Sequence, residues 1–107
     1  MAALSIHERK RLRQIGHALN PVVMIGDKGL TESVVEELNR ALNDHELIKI
    51  KIAGEDREAR SALILEVAEA SQSEVVQTIG KIALLYKKAT KQNQKLSNLV
   101  RHAHLSN

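Results

Sequence analysis

The chain has 107 residues, 43% of them hydrophobic, no cysteine and one aromatic residue, Tyr86. That is enough for one domain with a modest aliphatic core, and it excludes a disulfide framework, thiolate metal sites and cysteine nucleophiles. The net charge of +3 is unevenly spread: residues 1–30 and 80–107 carry net charges of +3 and +6, while residues 31–79 hold five basic against eleven acidic groups, a net of −6. Basic ends around an acidic middle imply one face for a polyanion and another turned away from it. The first residues, "MAALSIHERKRLRQ", turn charged by His7, so no signal peptide is expected. No apolar run approaches a membrane span, so a cytoplasmic protein is expected.

In chain order, residues 5–19 read as a helix, with Leu12, Ile15 and Leu19 on one stripe and Arg9, Lys10, Arg13 and His17 on the neighbouring one. Ser5 and Glu8 have the spacing of a capping box, and Asn20-Pro21 ends the helix. Val22–Ile25 is a continuous apolar run and reads as a buried central strand. Gly26-Asp27-Lys28-Gly29 follows, and Thr31 is placed to cap a second helix whose apolar face is Val34, Val35, Leu38, Ala41 and Leu42. In "ELIKIKIAG" strict alternation predicts a strand with Ile48, Ile50 and Ile52 on one face and Leu47, Lys49 and Lys51 on the other. Residues 55–71 return to helical spacing. "EVVQTIG" and "IALLYKK" read as two strands joined tightly at Gly80-Lys81. The expected fold is therefore α/β, in the order α-β-α-β-α-β-β, with a mixed four-stranded sheet in an open layer. A single domain is expected over residues 1–88, followed by a basic, mobile tail at 89–107 in which Leu96, Leu99, Val100 and Ala103 have the spacing of one short helix.

Few residues suggest catalysis. The serines stand in no nucleophile-elbow context. The glycine loop places its lysine before the second glycine, whereas a nucleotide-hydrolysing loop needs lysine after it and a hydroxyl next. His102 and His104 read as solvated side chains rather than metal ligands, and neither metal nor cofactor is expected. Gly26-Asp27-Lys28-Gly29 has two readings. It is a turn that needs a glycine at positive φ, or it is a clamp that brings backbone amides and a helix N-terminus to a sugar-phosphate chain. Lys28, the basic stripe of the first helix, Lys81 at the hairpin and Lys87 beyond it are expected to converge on one side. Base-stacking aromatics are absent, so recognition would rest on backbone and shape and depend strongly on salt.

Together, "RLRQIGHALNPVVMIGDKGLTESVVEELNRALNDHELIKIKI", "EDRE" and "VVQTIGKIALLYKK" resemble the YhbY-like proteins, which are single CRM (chloroplast RNA splicing and ribosome maturation) domains. The resemblance spans about residues 4–88. It implies a compact α/β fold similar to the C-terminal domain of translation initiation factor three. It also implies a non-enzymatic role in RNA binding, with precursors of the large ribosomal subunit and their ribosomal RNA as partners. On this resemblance the RNA-binding set is Gly26, Asp27, Lys28 and Gly29 in the loop, Arg9, Lys10, Arg13 and His17 on the first helix, and Lys81 and Lys87. Two residues depart from the family pattern. Asp27 puts an anion beside the phosphate site, and Lys87 stands where arginine is common, keeping charge but losing bidentate geometry. A monomer with no membrane association and no small-molecule substrate is expected. The rival reading is an adaptor in which the acidic second helix, through Glu32, Glu36 and Glu37, docks a basic ribosomal protein.

Overall fold

A computed structural model of the protein describes residues 4–106. Helix α1 (Ile6–Gly16) begins at Ser5, whose Oγ accepts from the Glu8 amide while the Glu8 carboxylate accepts from the Ser5 amide. This reciprocal cap satisfies donors that a helix start leaves open. Strand β1 (Pro21–Ile25) leads through the glycine loop to α2 (Glu32–His45), then β2 (Leu47–Ile52), α3 (Arg57–Ser71) and the hairpin of β3 (Glu74–Ile79) and β4 (Ile82–Tyr86). A short helix α4 (Asn98–Arg101) and a 3-10 turn at Ala103–Ser106 follow.

The four strands form one mixed sheet in the order β1-β2-β4-β3. β1 and β2 are parallel, and β4 runs antiparallel to both β2 and β3. The alternation of β2 splits the core in two. Ile48, Ile50 and Ile52 pack with Val23, Ile25, Leu38, Leu42, Ile64 and Val67 beneath α2 and α3. On the other face Leu47 joins Leu12, Ile15, Val76, Leu84 and Leu99 beneath α1 and α4. The molecule is thus a three-layer α/β/α arrangement, and each fully buried Leu or Ile contributes about 1.5–3 kcal/mol. Helix α1 comes very close to the sheet at its end: a Cβ on Gly16 would lie 2.6 Å from Leu84 Cδ2.

Two expectations need correction. The apolar run Val22–Ile25 is not a central strand; β1 lies at the sheet edge, with Val23 and Ile25 buried and Val22 and Met24 exposed. A continuous apolar run predicts two covered faces, but among the described residues no helix covers the second face above β1. The segment after Lys88 is not a free tail. Ser97, Asn98 and Leu99 are buried, and Leu99 enters the second core. Its anchor is Glu46, the residue that ends α2 with φ 62° and is 2% exposed. The Glu46 carboxylate accepts from the Ala89 amide (3.0 Å), Gln92 Nε2 (2.6 Å) and Ser97 Oγ (2.8 Å), and its carbonyl accepts from the Lys87 amide (2.9 Å). Asn98 Nδ2 adds a 2.7 Å bond to the Leu47 carbonyl.

Candidate nucleic-acid interface

The glycine loop is a closed turn, in which the Gly29 amide donates to the Gly26 carbonyl at 3.0 Å. Gly29 has φ 69°, a conformation that L side chains rarely adopt, so the turn itself needs glycine there. Gly26 differs: its φ is not in the left-handed region, and a Cβ added to it would meet no atom within 4 Å. The fold therefore gives no reason for glycine at position 26. Two residues beyond the loop, Thr31 Oγ1 caps α2 by accepting from the Val34 amide at 3.2 Å. The first turn of α2 thus sits just past the loop, and Asp27 and Lys28 are exposed at the turn.

Strand directions put three loops side by side at one end of the sheet: Gly26–Gly29 after β1, Ala53–Asp56 after β2 and the Gly80-Lys81 turn between β3 and β4. The Ala53 amide donates to the Ile25 carbonyl and the Ile52 amide to the Lys81 carbonyl, which ties the three together. The strands next to Lys28 and Lys81, β1 and β4, are two strand spacings apart, about 10 Å. Lys81 Nζ contacts the exposed Glu55 carboxylate at 3.0 Å. That hydrogen bond, with the charge of Lys81, holds the Glu55 carboxyl below its usual range. A solvent-exposed pair of this kind is weak, so it leaves Lys81 able to meet another anion.

The remaining basic residues do not all gather at this end. Helix α1 runs along the sheet, and its last turn, at Gly16 and His17, reaches a small cleft lined by Lys49, Gln77, Ile79 and Ile82. Lys10 and His17 are exposed and Arg13 is half-buried. Arg9 is engaged in the fold: its Nη1 donates to the Val75 carbonyl at 3.0 Å, and its Nη2 lies 3.8 Å from Glu74. Lys87 lies beyond the other end of β4, six residues from Lys81 and so about 20 Å away along the strand. The residues expected to converge on one side are distributed over several places in the fold. Lys28 and Lys81 share the loop end; Arg9, Lys10 and Arg13 lie on α1 with His17 at its C-cap, Arg9 being tied to β3; and Lys87 stands apart.

Asp27, Glu55 and Asp56 lie at the loop end, but many of the acids lie elsewhere. Exposed Glu32, Glu36 and Glu37 on α2 and Glu58, Glu66 and Glu69 on α3 belong to the layer on the far side of the sheet from α1. On the α1 side, sequence reasoning missed Arg101 and His102, which line a cleft of about 230 Å³ with His45 and Lys49. The apolar spacing of Leu96, Leu99 and Val100 signals the packed helix that brings them there. Among the described residues no cluster of His, Cys, Asp or Glu could hold a metal ion, and no helix is long and apolar enough to cross a membrane.

Comparison with known proteins agrees with this architecture. A probable RNA-binding protein of Pseudomonas aeruginosa is 50% identical over 101 residues, covering 94% of this chain and 97% of that one. An RNA-binding protein of Haemophilus influenzae is 47% identical over 87 residues, covering 81% and 88%. The solution structure of a hypothetical protein from Staphylococcus aureus superposes with a TM-score of 0.74 at 27% identity, over 89% of this chain and 98% of that one. The model of the CRS1 / YhbY (CRM) domain matches residues 4–87. With most of its length matched by that model, the chain belongs to the CRS1/YhbY (CRM) domain family.

Proposed function

We propose that the protein is a non-enzymatic, cytoplasmic RNA-binding protein that acts in assembly of the large ribosomal subunit. In this reading the Gly26–Gly29 loop and α1 grip ribosomal RNA backbone. The observation that carries the loop assignment is Gly26, a glycine that neither φ nor packing requires. A residue without a side chain at an exposed turn, followed by Lys28 and the capped start of α2, allows a phosphate to approach main-chain amides. Lys28, Lys10, Arg13 and Lys81 supply charge, His17 offers a polar contact, and Arg9 and Lys87 contribute less directly. The names of the two close bacterial relatives support RNA as the partner.

The test is binding of the purified protein to a structured fragment of large-subunit ribosomal RNA across a salt series. The comparison protein is the double variant Gly26→Asp/Lys28→Glu. The wild type is expected to show a log–log salt slope of about −3 for four phosphate contacts, and the folded variant to lose at least tenfold in affinity. Equal binding by both would overturn the loop assignment. The segregation of acids onto α2 and α3 favours a second reading, in which that layer docks a basic ribosomal protein. Charge reversal at Glu32, Glu36 and Glu37 separates the two: loss of association with large-subunit precursors while RNA affinity is retained would favour the adaptor.

A further inference from the structure

Among the described residues, nothing covers half of the α1 face of the sheet. Helix α1 ends over Leu84, and beyond it the strand register aligns one row across all four strands: Met24, Lys51, Ile82 and Ile79. Lys49, Leu84 and Gln77 form the row behind it, with Val22 on the same face of β1. Met24 and Ile79 are each 63% exposed and Val22 is 49% exposed, and Lys51 is open to solvent. These eight positions include no acid. The face is bordered at the strand ends by the glycine loop and the Lys81 turn. At the other side it runs into the cleft of Lys49, Arg101, His102 and His45.

We propose that this uncovered face holds a short single-stranded segment of RNA, with unstacked bases on Met24, Val22, Ile82 and Ile79 and phosphates on Lys49, Lys51 and the Arg101–His102 cleft. The inference deepens the reading given above and rests on RNA being the partner. Charge selects the occupant. Lysines are depleted at the centre of protein interfaces, yet here two lie on the second of four strands, amid exposed apolar side chains and with no carboxylate among them. A polyanion meets those lysines favourably, and only one whose bases are free can also cover the aliphatic side chains. A duplex presents phosphates and leaves its bases stacked inside. Sheet-borne recognition of single strands elsewhere uses aromatic platforms. The aliphatic row offers apolar contact without stacking geometry, which suits weak sequence preference.

Met24 makes the test direct, because the chain has only two methionines. The full-length protein, carrying carbon-13 methyl methionine, is titrated with a ten-nucleotide single-stranded RNA and, separately, with the same sequence as a duplex. The single strand is expected to shift the Met24 methyl resonance, and the duplex to leave it in place. The variant Met24→Ala/Ile79→Ala should lose about threefold or more in single-strand affinity at unchanged salt slope. Lys51→Gln should lower that slope by about 0.7. These side chains are exposed, so melting temperature should stay at the wild-type value. The loop variant Gly26→Asp/Lys28→Glu is run beside them. If that variant loses RNA while the sheet variants bind as wild type and Met24 does not respond, the platform is refuted and the RNA-binding reading stands. If the wild type binds neither RNA, both fall. If the sheet variants keep RNA affinity but lose association with ribosomal proteins, the face is a protein dock and the proposal is overturned.

Discussion

Glu46 ties the C-terminal segment to the sheet, and its replacement by glutamine is expected to cost about 2 kcal/mol at neutral pH. Its Oε1 accepts from Gln92 and Ser97, so the amide oxygen of a glutamine would take that place. The amide nitrogen would then face the Ala89 amide, which donates to Oε2 in the native protein. Two donors would oppose each other in a part-buried site. Glu46→Ala removes all three bonds and leaves the fully buried Ser97 hydroxyl without its carboxylate acceptor, at about 3 kcal/mol. Glu46→Gly should be milder than alanine by about 1 kcal/mol, because φ 62° strains any side chain. The pH dependence has a definite sign. Burial raises the Glu46 carboxyl, but the bonds from Ala89, Gln92 and Ser97, with the charge of Lys88, outweigh it and leave the group below its ordinary value of 4.5. Its stabilisation is therefore complete above that value and is lost as pH falls through the lower folded one. Urea denaturation from neutral to acidic pH should show the wild-type advantage over Glu46→Gln shrinking only below about 4.5. Hydrogen exchange at the Ala89 amide should quicken in the variant. A glutamine variant within 0.5 kcal/mol of wild type at pH ~7 would refute the carboxylate clamp, since an unmet buried donor costs more than that.

Three further outcomes are expected. Gly16→Ala should destabilise by about 1 kcal/mol despite the better helix propensity of alanine, because its Cβ would meet Leu84; the loss should shrink in a Leu84→Val background, as read by urea midpoints. Gly29→Ala should cost about 1 kcal/mol from its φ of 69°, whereas Gly26→Ala should leave stability unchanged or slightly raised in thermal melts, yet weaken RNA binding. Arg9→Ala should lower stability by about 1 kcal/mol through the lost bond to the Val75 carbonyl, and should reduce RNA affinity less than Arg13→Ala in the same binding assay.

Local chemistry made much of the fold legible. The Ser5–Glu8 box, the Thr31 cap, the alternation of "LIKIKI" and the tight Gly80-Lys81 connection are signals carried within a few residues, and each stands where it was expected. The errors are all relations between distant segments. Nothing within Val22–Ile25 says that α1 stops short of β1 and leaves one face of that strand bare. Nothing near residue 97 says that a carboxylate 51 positions earlier will bond its hydroxyl. The candidate site divides the same way. The glycine loop was visible as a motif, but the different needs of its two glycines became visible only from backbone angles and the space around them. Arg9 and Arg13 look alike on a helical wheel, and the β3 carbonyls and Glu74 beside Arg9 set them apart.

The two-sided pattern of β2 connects these observations. Its isoleucines bury one face of the sheet completely, which commits α2 and α3, with their acids, to that side. Its other face begins apolar at Leu47 and continues with Lys49 and Lys51. A helix packed over the whole of that face would have to desolvate two ammonium groups, which costs far more than the apolar area gained. Helix α1 covers only the Leu47 half and stops at Gly16. The two lysines lie in the strip of sheet that α1 leaves open beside the glycine loop and give that strip its positive charge. β2 thus divides the α2–α3 layer, with its exposed glutamates, from the open side on which an anionic ligand would meet Lys49 and Lys51.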